Sequence, residues 1–260
     1  TITDNKGCTS TNSVTITQPT NITITAVKQN VACYGMSTGS IYLTINGGTS
    51  PYTYLWNNGI TTKNLTNIPI GSYTCTVTDY NGCVQTYSTT ISQNTQIVLS
   101  TIKTNVSCNG GSSGTASVSV TGGVPPYVYN WSNGSTSQSV SNLFAGTYNV
   151  IVTDSKGCSK SAFVSITQPS PISVSLVSVV NEHCGTGGSI DVSVMGGISP
   201  YNYNWSNGSL TQDLTNVPMG VYTLGIVDAS SCPTNFVNNF WNCVLPFLPE
   251  PIRQKHKCIG

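Results

Sequence analysis

Charged side chains are scarce in this chain of 260 residues, where Asp, Glu, Lys and Arg make up 7% of positions and the formal net charge is +1. Nucleic acid and acidic membrane surfaces attract proteins through a basic field, which this composition does not supply. The sequence therefore predicts no nucleic-acid partner. Solubility must come instead from Ser, Thr, Asn and Gln, a composition typical of bacterial surface proteins and poor in helix formers.

Residues for catalysis, metal binding and membrane insertion are also missing. The two histidines, His183 and His256, stand in no recognised catalytic motif, and the chain has no Gly-x-Ser-x-Gly, phosphate loop or paired carboxylates. No C-x-x-C pairs suggest zinc, and one reliable acid per repeat is too few for calcium. No run approaches the ~20 apolar residues of a membrane span. We expect a non-catalytic segment without a cofactor, a metal or a membrane span.

A sequence phrase recurs with a period of about 75 residues, which marks an array of similar domains. Residues 47–56, 122–131 and 196–205 all read Gly-Gly-x-x-Pro-Tyr-x-Tyr-x-Trp, and a second phrase runs from Gly-x-Tyr to Asp downstream of each. The chain begins inside a copy, so we interpret it as a piece of a longer protein. The predicted divisions are the C-terminal part of a truncated repeat (1–19), three β-sandwich repeats (20–95, 96–170 and 171–244, the last with an atypical final strand) and a non-repeat tail (245–260).

Short alternating runs within each copy predict strands and no helices. In the copy at 96–170, residues 115–120 and 127–131 alternate, Asn133-Gly134 signals a hairpin, and a return strand begins at Ser137. Six or seven short strands at this spacing indicate an all-β fold, a tandem array of immunoglobulin-like antiparallel β-sandwich domains.

The cysteines follow the repeat in two series. Two per small domain, without metal spacing, predict one disulfide per domain. The strand order read above puts both series at one end of the sandwich, which favours Cys33–Cys83, Cys108–Cys158 and Cys184–Cys232. The alternative joins neighbouring copies as Cys8–Cys33, Cys83–Cys108 and Cys158–Cys184, and both pairings remain open. Cys75 breaks the register and is predicted to be a buried free thiol. Cys243 and Cys258, which have no counterparts in the repeat, are predicted to be unpaired.

The aromatic and acidic residues of the repeat have two possible roles. The core aromatic residues are predicted to be Trp56, Trp131, Trp205, Tyr73, Tyr148 and Tyr222, because a small sandwich needs large apolar side chains. The alternative is a sugar-stacking surface, to which the loop tyrosines Tyr52, Tyr127 and Tyr201 are best suited. Asp79, Asp154 and Asp228 are predicted to cap their own turns.

These phrases resemble the SprB-type repeat family of Bacteroidota cell-surface proteins. The shared frame is Gly-Gly-x-x-Pro-Tyr-x-Tyr-x-Trp followed by Gly-x-Tyr-x-Val-x-Val-x-Asp-x-x-Gly-Cys, and it covers residues 1 to about 235. The resemblance implies export by type IX secretion, display on the cell surface and, for some members, gliding adhesion. The frame is lost near Cys232, which lacks the preceding glycine, and no sorting domain follows.

Two functions fit this reading. The first is an extended stalk of a secreted adhesin, whose partners are the neighbouring repeats of the same chain. The alternative is a binding module that holds surface glycans or other cell-surface proteins in the end loops of its repeats. The linkers, such as Gln18-Pro19-Thr20 and Gln168-Pro169-Ser170, leave little slack and predict three repeats in line, a rod of roughly 100 Å.

Overall fold

The structure, a computed structural model, describes residues 1–181 and 187–236, and every regular element in those residues is a β-strand. By internal packing the chain falls into two units. One comprises Thr1–Leu99, Val120–Val128 and Val152–Lys160, and the other comprises Ser100–Ser119, Tyr129–Ile151 and Ser161–Gly260. The predictions for His183, Cys184, Cys243, the final strand beyond residue 236 and the tail at 245–260 concern residues outside the described ranges.

A two-strand hairpin and three six-strand sandwiches follow one another along the chain. The hairpin is β1 (Ile2–Thr3) and β2 (Thr9–Ser10). The first sandwich contains β3 (Thr23–Gln29), β4 (Gly39–Asn46), β5 (Thr53–Trp56), β6 (Leu65–Ile68), β7 (Gly71–Thr78) and β8 (Val84–Ile91). The second contains β9 (Val98–Thr104), β10 (Gly114–Thr121), β11 (Val128–Trp131), β12 (Ser139–Leu143), β13 (Gly146–Thr153) and β14 (Ser159–Ile166). The third contains β15 (Ser173–Val180), β16 (Gly188–Met195), β17 (Asn202–Trp205), β18 (Leu214–Val217), β19 (Leu224–Val227) and β20 (Pro233–Phe236).

Each sandwich consists of two three-stranded sheets with the same strand order. In the first, β3-β4-β6 faces β5-β7-β8, and the second and third sandwiches repeat this order as β9-β10-β12 with β11-β13-β14 and β15-β16-β18 with β17-β19-β20. The pairs in the first and third sandwiches are antiparallel. The chain is therefore a tandem array of immunoglobulin-like sandwiches, as the alternation predicted.

The inward faces of the two sheets form the core of each sandwich. In the first, Ile41 and Leu43 of one sheet pack with Cys75 and Val77 of the other around Trp56. The outward neighbours on the same strands are less buried, since Tyr42 and Thr44 are exposed and Thr76 is half-buried, which is the period of two expected for a sheet with one wet face. In the third sandwich Ile190, Val192, Trp205, Leu224 and Ile226 form the core, and in the second the equivalent Val118, Trp131, Val150 and Val152 are each buried.

The strand register defines two ends of each sandwich. Thr23 pairs with Asn46, and Thr78 pairs with Val84, at the end where the chain enters, which we call the entry end. At the opposite end, which we call the exit end, Val31 bridges to Gln93 as the chain leaves the last strand. Eight-residue strands such as β8 separate the two ends by about 25 Å.

The hairpin predicted at Asn133-Gly134 is wrong, and this error affected the predicted disulfides. The strands on either side, β11 and β12, lie in different sheets, so the turn carries the chain across the sandwich. Within this turn, Trp131 N–H donates to Ser135 O at 2.9 Å, and Gly134 N–H donates to Trp131 O at 2.8 Å. A hairpin at this turn would reverse the chain once more than the observed crossing does. The hairpin interpretation therefore placed the two cysteine series at the same end of the sandwich, although they lie at opposite ends.

The disulfides of the structure correct both pairings that the sequence left open. Cys33 pairs with Cys158 and Cys108 pairs with Cys232, whereas Cys83 is free and exposed. A bond from Cys33 to Cys83 is excluded because Cys33 lies at the exit end and Cys83 at the entry end of the same sandwich. The predicted Cys108–Cys158 bond fails for the same reason, and the predicted Cys184–Cys232 bond is wrong because Cys232 is bonded to Cys108.

Candidate functional site at the joints between repeats

Each disulfide joins one sandwich to the next. Cys33 and Cys158 are 125 residues apart in sequence, Cys108 and Cys232 are 124 apart, and both pairs have a Cα–Cα distance of 5.5 Å. The first joint lies wholly within one packing unit and the second wholly within the other. In both, the loop between the first two strands of one repeat, which we call the Cys loop, is bonded to the Asp-containing turn of the following repeat, which we call the Asp turn.

The Cys loop is fixed to the exit end of its own repeat. Val31 N–H donates to Ser92 O at 2.9 Å, and Gly35 N–H donates to the side-chain oxygen of Gln93 at 2.8 Å. Asn94 donates in return from its side chain to Ala32 O at 3.0 Å. The second Cys loop repeats the first two bonds, from Val106 N–H to Thr167 O and from Gly110 N–H to the Gln168 side chain. Its third bond runs in the opposite direction, because here the loop residue Asn109 donates to the linker carbonyl of Pro169 at 3.0 Å. The Gln of the linker thus has a structural role that the sequence analysis missed, although its recurrence at Gln93 and Gln168 was a usable signal.

The Asp turn is held by a buried carboxylate. One oxygen of Asp154 accepts from Lys156 N–H at 2.8 Å and Cys158 N–H at 3.0 Å, which is the turn cap predicted from the sequence. The other oxygen accepts from Val124 N–H in the Gly-Gly loop at 3.0 Å, a contact that was not predicted. Asp79 and Asp228 make the same three kinds of bond, to Thr49, Asn81 and Cys83 and to Ile198, Ser230 and Cys232.

These hydrogen bonds hold the three carboxylates ionised. The pKa of Asp79 is lowered chiefly by the Thr49 backbone N–H, and that of Asp228 chiefly by the Cys232 backbone N–H. Burial acts on Asp154 in the opposite direction, but the N–H groups of Cys158, Val124 and Lys156 together lower its pKa. A carboxylate that accepts several backbone N–H bonds is stabilised in its charged form.

The linker between the sandwiches is bonded on both sides. Its N-terminal part, Ser92 and Gln93, holds the Cys loop of the preceding repeat. Two residues later, Thr95 O accepts from Gly123 N–H of the next repeat at 2.9 Å. The third sandwich repeats this bond between Ser170 O and Gly197 N–H, and the first between Thr20 O and Gly48 N–H. The chain therefore has almost no free residues between one sandwich and the next.

A cleft of about 310 Å³ lies at the first joint, lined by Cys33, Tyr34, Ile97, Asp154 and Cys158, among others. Within it the sulfur of Cys158 is 3.5 Å from the carbonyl oxygen of Ala32. The cleft at the second joint, about 290 Å³, has Cys108 and Asn109 in the places of Cys33 and Tyr34, and the Cys232 sulfur is 3.4 Å from Ser107 O. The two joints thus share a geometry although their loop sequences differ.

The tryptophans lie in the cores and not on a binding surface. Trp56 is 1% exposed, and Trp131 and Trp205 are each 2% exposed. Each indole N–H donates to a backbone carbonyl six residues downstream, at Thr62, Ser137 and Thr211 respectively. A buried indole with its polar atom satisfied has no face left for a sugar ring.

The tyrosines are also engaged within their own repeats. Tyr73 and Tyr222 are buried and Tyr148 is half-buried, and each hydroxyl donates to a carbonyl four residues upstream, an arrangement similar to the tyrosine corner of immunoglobulin-like sandwiches. The loop tyrosines Tyr52, Tyr127 and Tyr201 are half-buried, and their hydroxyls donate to the first glycine carbonyl of the Gly-Gly loop. Cys75, the predicted buried thiol, is free and 0% exposed, and burial raises its pKa.

Within the described residues, no three His, Cys, Asp or Glu side chains come together as a metal site would require. In the same part of the chain no helix is long and apolar enough to cross a membrane.

The family model for the SprB repeat matches three segments, residues 25–61, 100–136 and 176–210. Each of the three sandwiches therefore contains one segment that matches the SprB repeat. In the first two, the matched segment contains the Cys loop and the aromatic strand, whereas the Asp turns with Cys83 and Cys158 lie outside it. The disulfide of a joint therefore connects the matched segment of one sandwich to a turn outside the matched segment of the next.

The comparison with curated proteins found no match. Among solved structures, immunoglobulin domains 1–5 of Sidekick-1 are 12% identical with a TM-score of 0.33, and the alignment covers 87% of this chain and 60% of that one. The amphioxus IgVJ-C2 molecule is 14% identical with a TM-score of 0.24, over 58% of this chain and 98% of that one. Because these scores are low, the fold assignment depends on the strand order and core described above.

Proposed function

We propose that this segment is a non-catalytic stalk of a secreted bacterial surface adhesin, with its SprB repeats arranged in line. The observation that carries the proposal is that two covalent connections, the linker and a disulfide, join consecutive sandwiches at both described joints. A single linker lets two domains rotate about it, whereas a second connection at a different point removes most of that freedom.

The two halves of each joint support this mechanical role. Three hydrogen bonds hold the Cys loop to the linker at the exit end of its own repeat, and Asp154 holds the bonded turn to the next repeat. A disulfide between two such fixed halves transmits force from core to core and not through a slack loop.

A glycan- or protein-binding role for the end loops has less support. At the entry end the Gly-Gly loop uses its N–H groups on the Asp carboxylate and the linker, and a tyrosine hydroxyl occupies its first carbonyl. The loops that would form a binding surface are thus used within the repeat or at the joint.

The proposed location is the cell surface. Disulfides persist in oxidising compartments, and two of them join the repeats here. Export by type IX secretion and a part in gliding are proposed from the SprB family alone.

Small-angle X-ray scattering on the oxidised chain tests the stalk. Three sandwiches in line should give a maximum dimension on the order of 100 Å, from strands of 7 or 8 residues with their end loops. The same measurement after reduction provides the comparison, and we expect a broader distribution of distances because each joint loses one of its connections. A maximum dimension near 60 Å in the oxidised chain would mean that the sandwiches pack side by side, and the stalk would have to be abandoned.

A further inference from the structure

At its entry end the first sandwich has an Asp turn, at Asp79 and Cys83, to which no Cys loop is bonded in the described residues. Its entry end has a cleft of about 440 Å³ lined by Thr20, Ile22, Gly48, Asp79 and Cys83, among others. Cys83 is free and exposed. We propose that this surface, which we call the Cys83 socket, binds the Cys loop of another SprB repeat and forms a disulfide with it.

The argument begins with the correspondence between the three entry ends. Adding 75 to the positions of Thr20, Asn21, Ile22, Asp79 and Cys83 gives the residues that line the cleft of the first joint, Thr95, Gln96, Ile97, Asp154 and Cys158. In the third sandwich the same places are taken by Ser170, Pro171, Ile172, Asp228 and Cys232. The Cys83 socket is therefore built from the same parts as two surfaces whose occupant the structure shows.

The occupant is the same in both of those cases. Cys33 and Tyr34 line the cleft beside the Asp turn of the second sandwich, and Cys108 and Asn109 line the one beside the Asp turn of the third. The side chain after the cysteine differs, whereas the carbonyl of the preceding residue lies near the partner sulfur in both joints. Recognition thus depends on the backbone shape of a Cys loop and not on one particular side chain, so a Cys loop from any repeat of this kind should fit.

The Cys83 socket is already organised for this partner. Asp79 accepts from Cys83 N–H at 2.8 Å and from Thr49 N–H at 2.9 Å, the two bonds that Asp154 makes at the occupied joint. Gly48 N–H donates to Thr20 O at 2.7 Å, as Gly123 does to Thr95. Binding therefore requires no rearrangement of the Asp turn, the Gly-Gly loop or the linker.

The bond would form by thiol–disulfide exchange. The Cys83 thiolate attacks the loop cysteine in a mixed disulfide with a small thiol, a new S–S bond forms to Cys83, and the small thiol leaves with the electron pair of the broken bond. The mixed disulfide is itself the oxidant, so no other electron acceptor is needed.

Cys8 offers a matched control within the same chain. It follows an Asp turn like that of Cys83, in which Asp4 accepts from Lys6 N–H at 3.0 Å and Cys8 N–H at 2.8 Å, and it is also free and exposed. The described bonds of Asp4 include none from a Gly-Gly loop, so Cys8 has the turn without the socket.

The experiment uses the oxidised full chain and a synthetic peptide of residues 30–38, whose cysteine is activated as a mixed disulfide with thionitrobenzoate. In the folded protein this loop closes through two bonds of its own, Met36 N–H to Cys33 O and Ala32 N–H to the Thr38 hydroxyl. A peptide of the same composition with cysteine moved to its first position is the control probe. Proteolytic mapping under non-reducing conditions measures the adduct at Cys83 and at Cys8.

We expect the loop peptide to react at Cys83 on the order of tenfold faster than at Cys8, after each rate is divided by that of the control peptide at the same cysteine. The variant Cys83→Ser should lose the fast reaction, and Cys8→Ser should keep it. Equal normalised rates at Cys83 and Cys8 would overturn the proposal, because the Cys83 socket would then add nothing to an exposed thiol. The result is independent of the shape of the array, so the stalk can fail while this inference holds, and the reverse.

Discussion

At the scale of residues, the Asp carboxylates couple the stability of the fold to pH. Asp79, Asp154 and Asp228 are 6%, 5% and 2% exposed, and their pKa values lie below the ordinary 3.8. A group with a lowered folded-state pKa stabilises the fold above its unfolded pKa, and the stabilisation disappears as the pH falls through the folded value. We therefore expect the melting temperature to be flat from pH 6 to about pH 4 and to fall below that.

The variant Asp154→Asn measures how much one of the three carboxylates contributes to the pH dependence of stability. It should lower the melting temperature at pH 6, because an amide cannot replace an ionised acceptor of three backbone N–H bonds, and the difference from the parent should shrink towards pH 2.5. Asp4→Asn is the control, since Asp4 is exposed and its described bonds do not include the Gly-Gly loop. A constant difference between Asp154→Asn and the parent at every pH would contradict a role for the charge.

The buried tryptophan of the second sandwich gives the next prediction. Trp131→Ala should cost about 3–5 kcal/mol of unfolding free energy, because it removes the largest side chain of that core. Trp131→Phe should cost less, since it keeps most of the ring and loses the indole N–H bond to Ser137 O. Urea denaturation measures both. If Trp131→Ala unfolded at the same urea concentration as the parent but abolished binding to a sugar, the core assignment would be wrong.

The sequence predicted the hydrogen bonds to one oxygen of the Asp carboxylate and missed the hydrogen bond to the other. The turn cap at Asp154 is local, since its donors are two and four residues away. The bond from Val124 N–H spans 30 residues and exists only because the Gly-Gly loop and the Asp turn meet at the same end of the sandwich. No local propensity encodes such a contact.

At the scale of elements, the Gly-Gly loop shows how closely the linker is packed. Gly123 has a φ of +66°, and a Cβ there would lie 2.7 Å from a side-chain carbon of Ile97 and 3.0 Å from an Asp154 oxygen. Gly134 has a φ of +84° with nothing within 4 Å of an added Cβ. Alanine would be strained by the left-handed backbone at both positions, but only at Gly123 would its Cβ also clash with neighbouring atoms.

We therefore expect Gly123→Ala to destabilise the protein by about 1–3 kcal/mol more than Gly134→Ala, the range typical of overpacking. Urea denaturation of the two variants beside the parent provides the comparison. Equal costs would show that the linker residue Ile97 moves aside easily, and the close packing of the joint would then not be rigid.

The strands could be predicted from the sequence, whereas the connection from β11 to β12, which crosses between the two sheets, could not. Alternation located β10 and β11 within one or two residues of their observed bounds, because each buries one face. Asn133-Gly134 has the composition of a hairpin turn, and the same composition also serves a turn that crosses between sheets. What decides between them is which sheet Val140 and Leu143 pack into, and that depends on the whole core.

At the scale of the whole molecule, the two disulfides overlap in sequence and shorten the path that carries a load. When the ends are pulled, tension passes through residues 1–33, across to Cys158, back along the chain to Cys108, and across to Cys232. With only these two disulfides closed, that path contains about 110 residues, so full unfolding should extend the oxidised chain to roughly 400 Å.

Without the disulfides all 260 residues lie in the load path, and the extension should approach roughly 900 Å. Single-molecule stretching of the chain held at its two ends, before and after addition of a reductant, measures the difference. An oxidised chain that extends as far as the reduced one would mean that the joints carry no disulfide, and the mechanical role would have no basis.

The central claim is that disulfides join one repeat to the next, and mapping the disulfides by proteolysis without reduction tests it most directly. The account predicts one linked pair of peptides containing Cys33 and Cys158 and a second containing Cys108 and Cys232. Both pairs should separate on reduction. Peptides that link Cys33 to Cys83 and Cys108 to Cys158 would show that each repeat closes on itself, and would contradict the account.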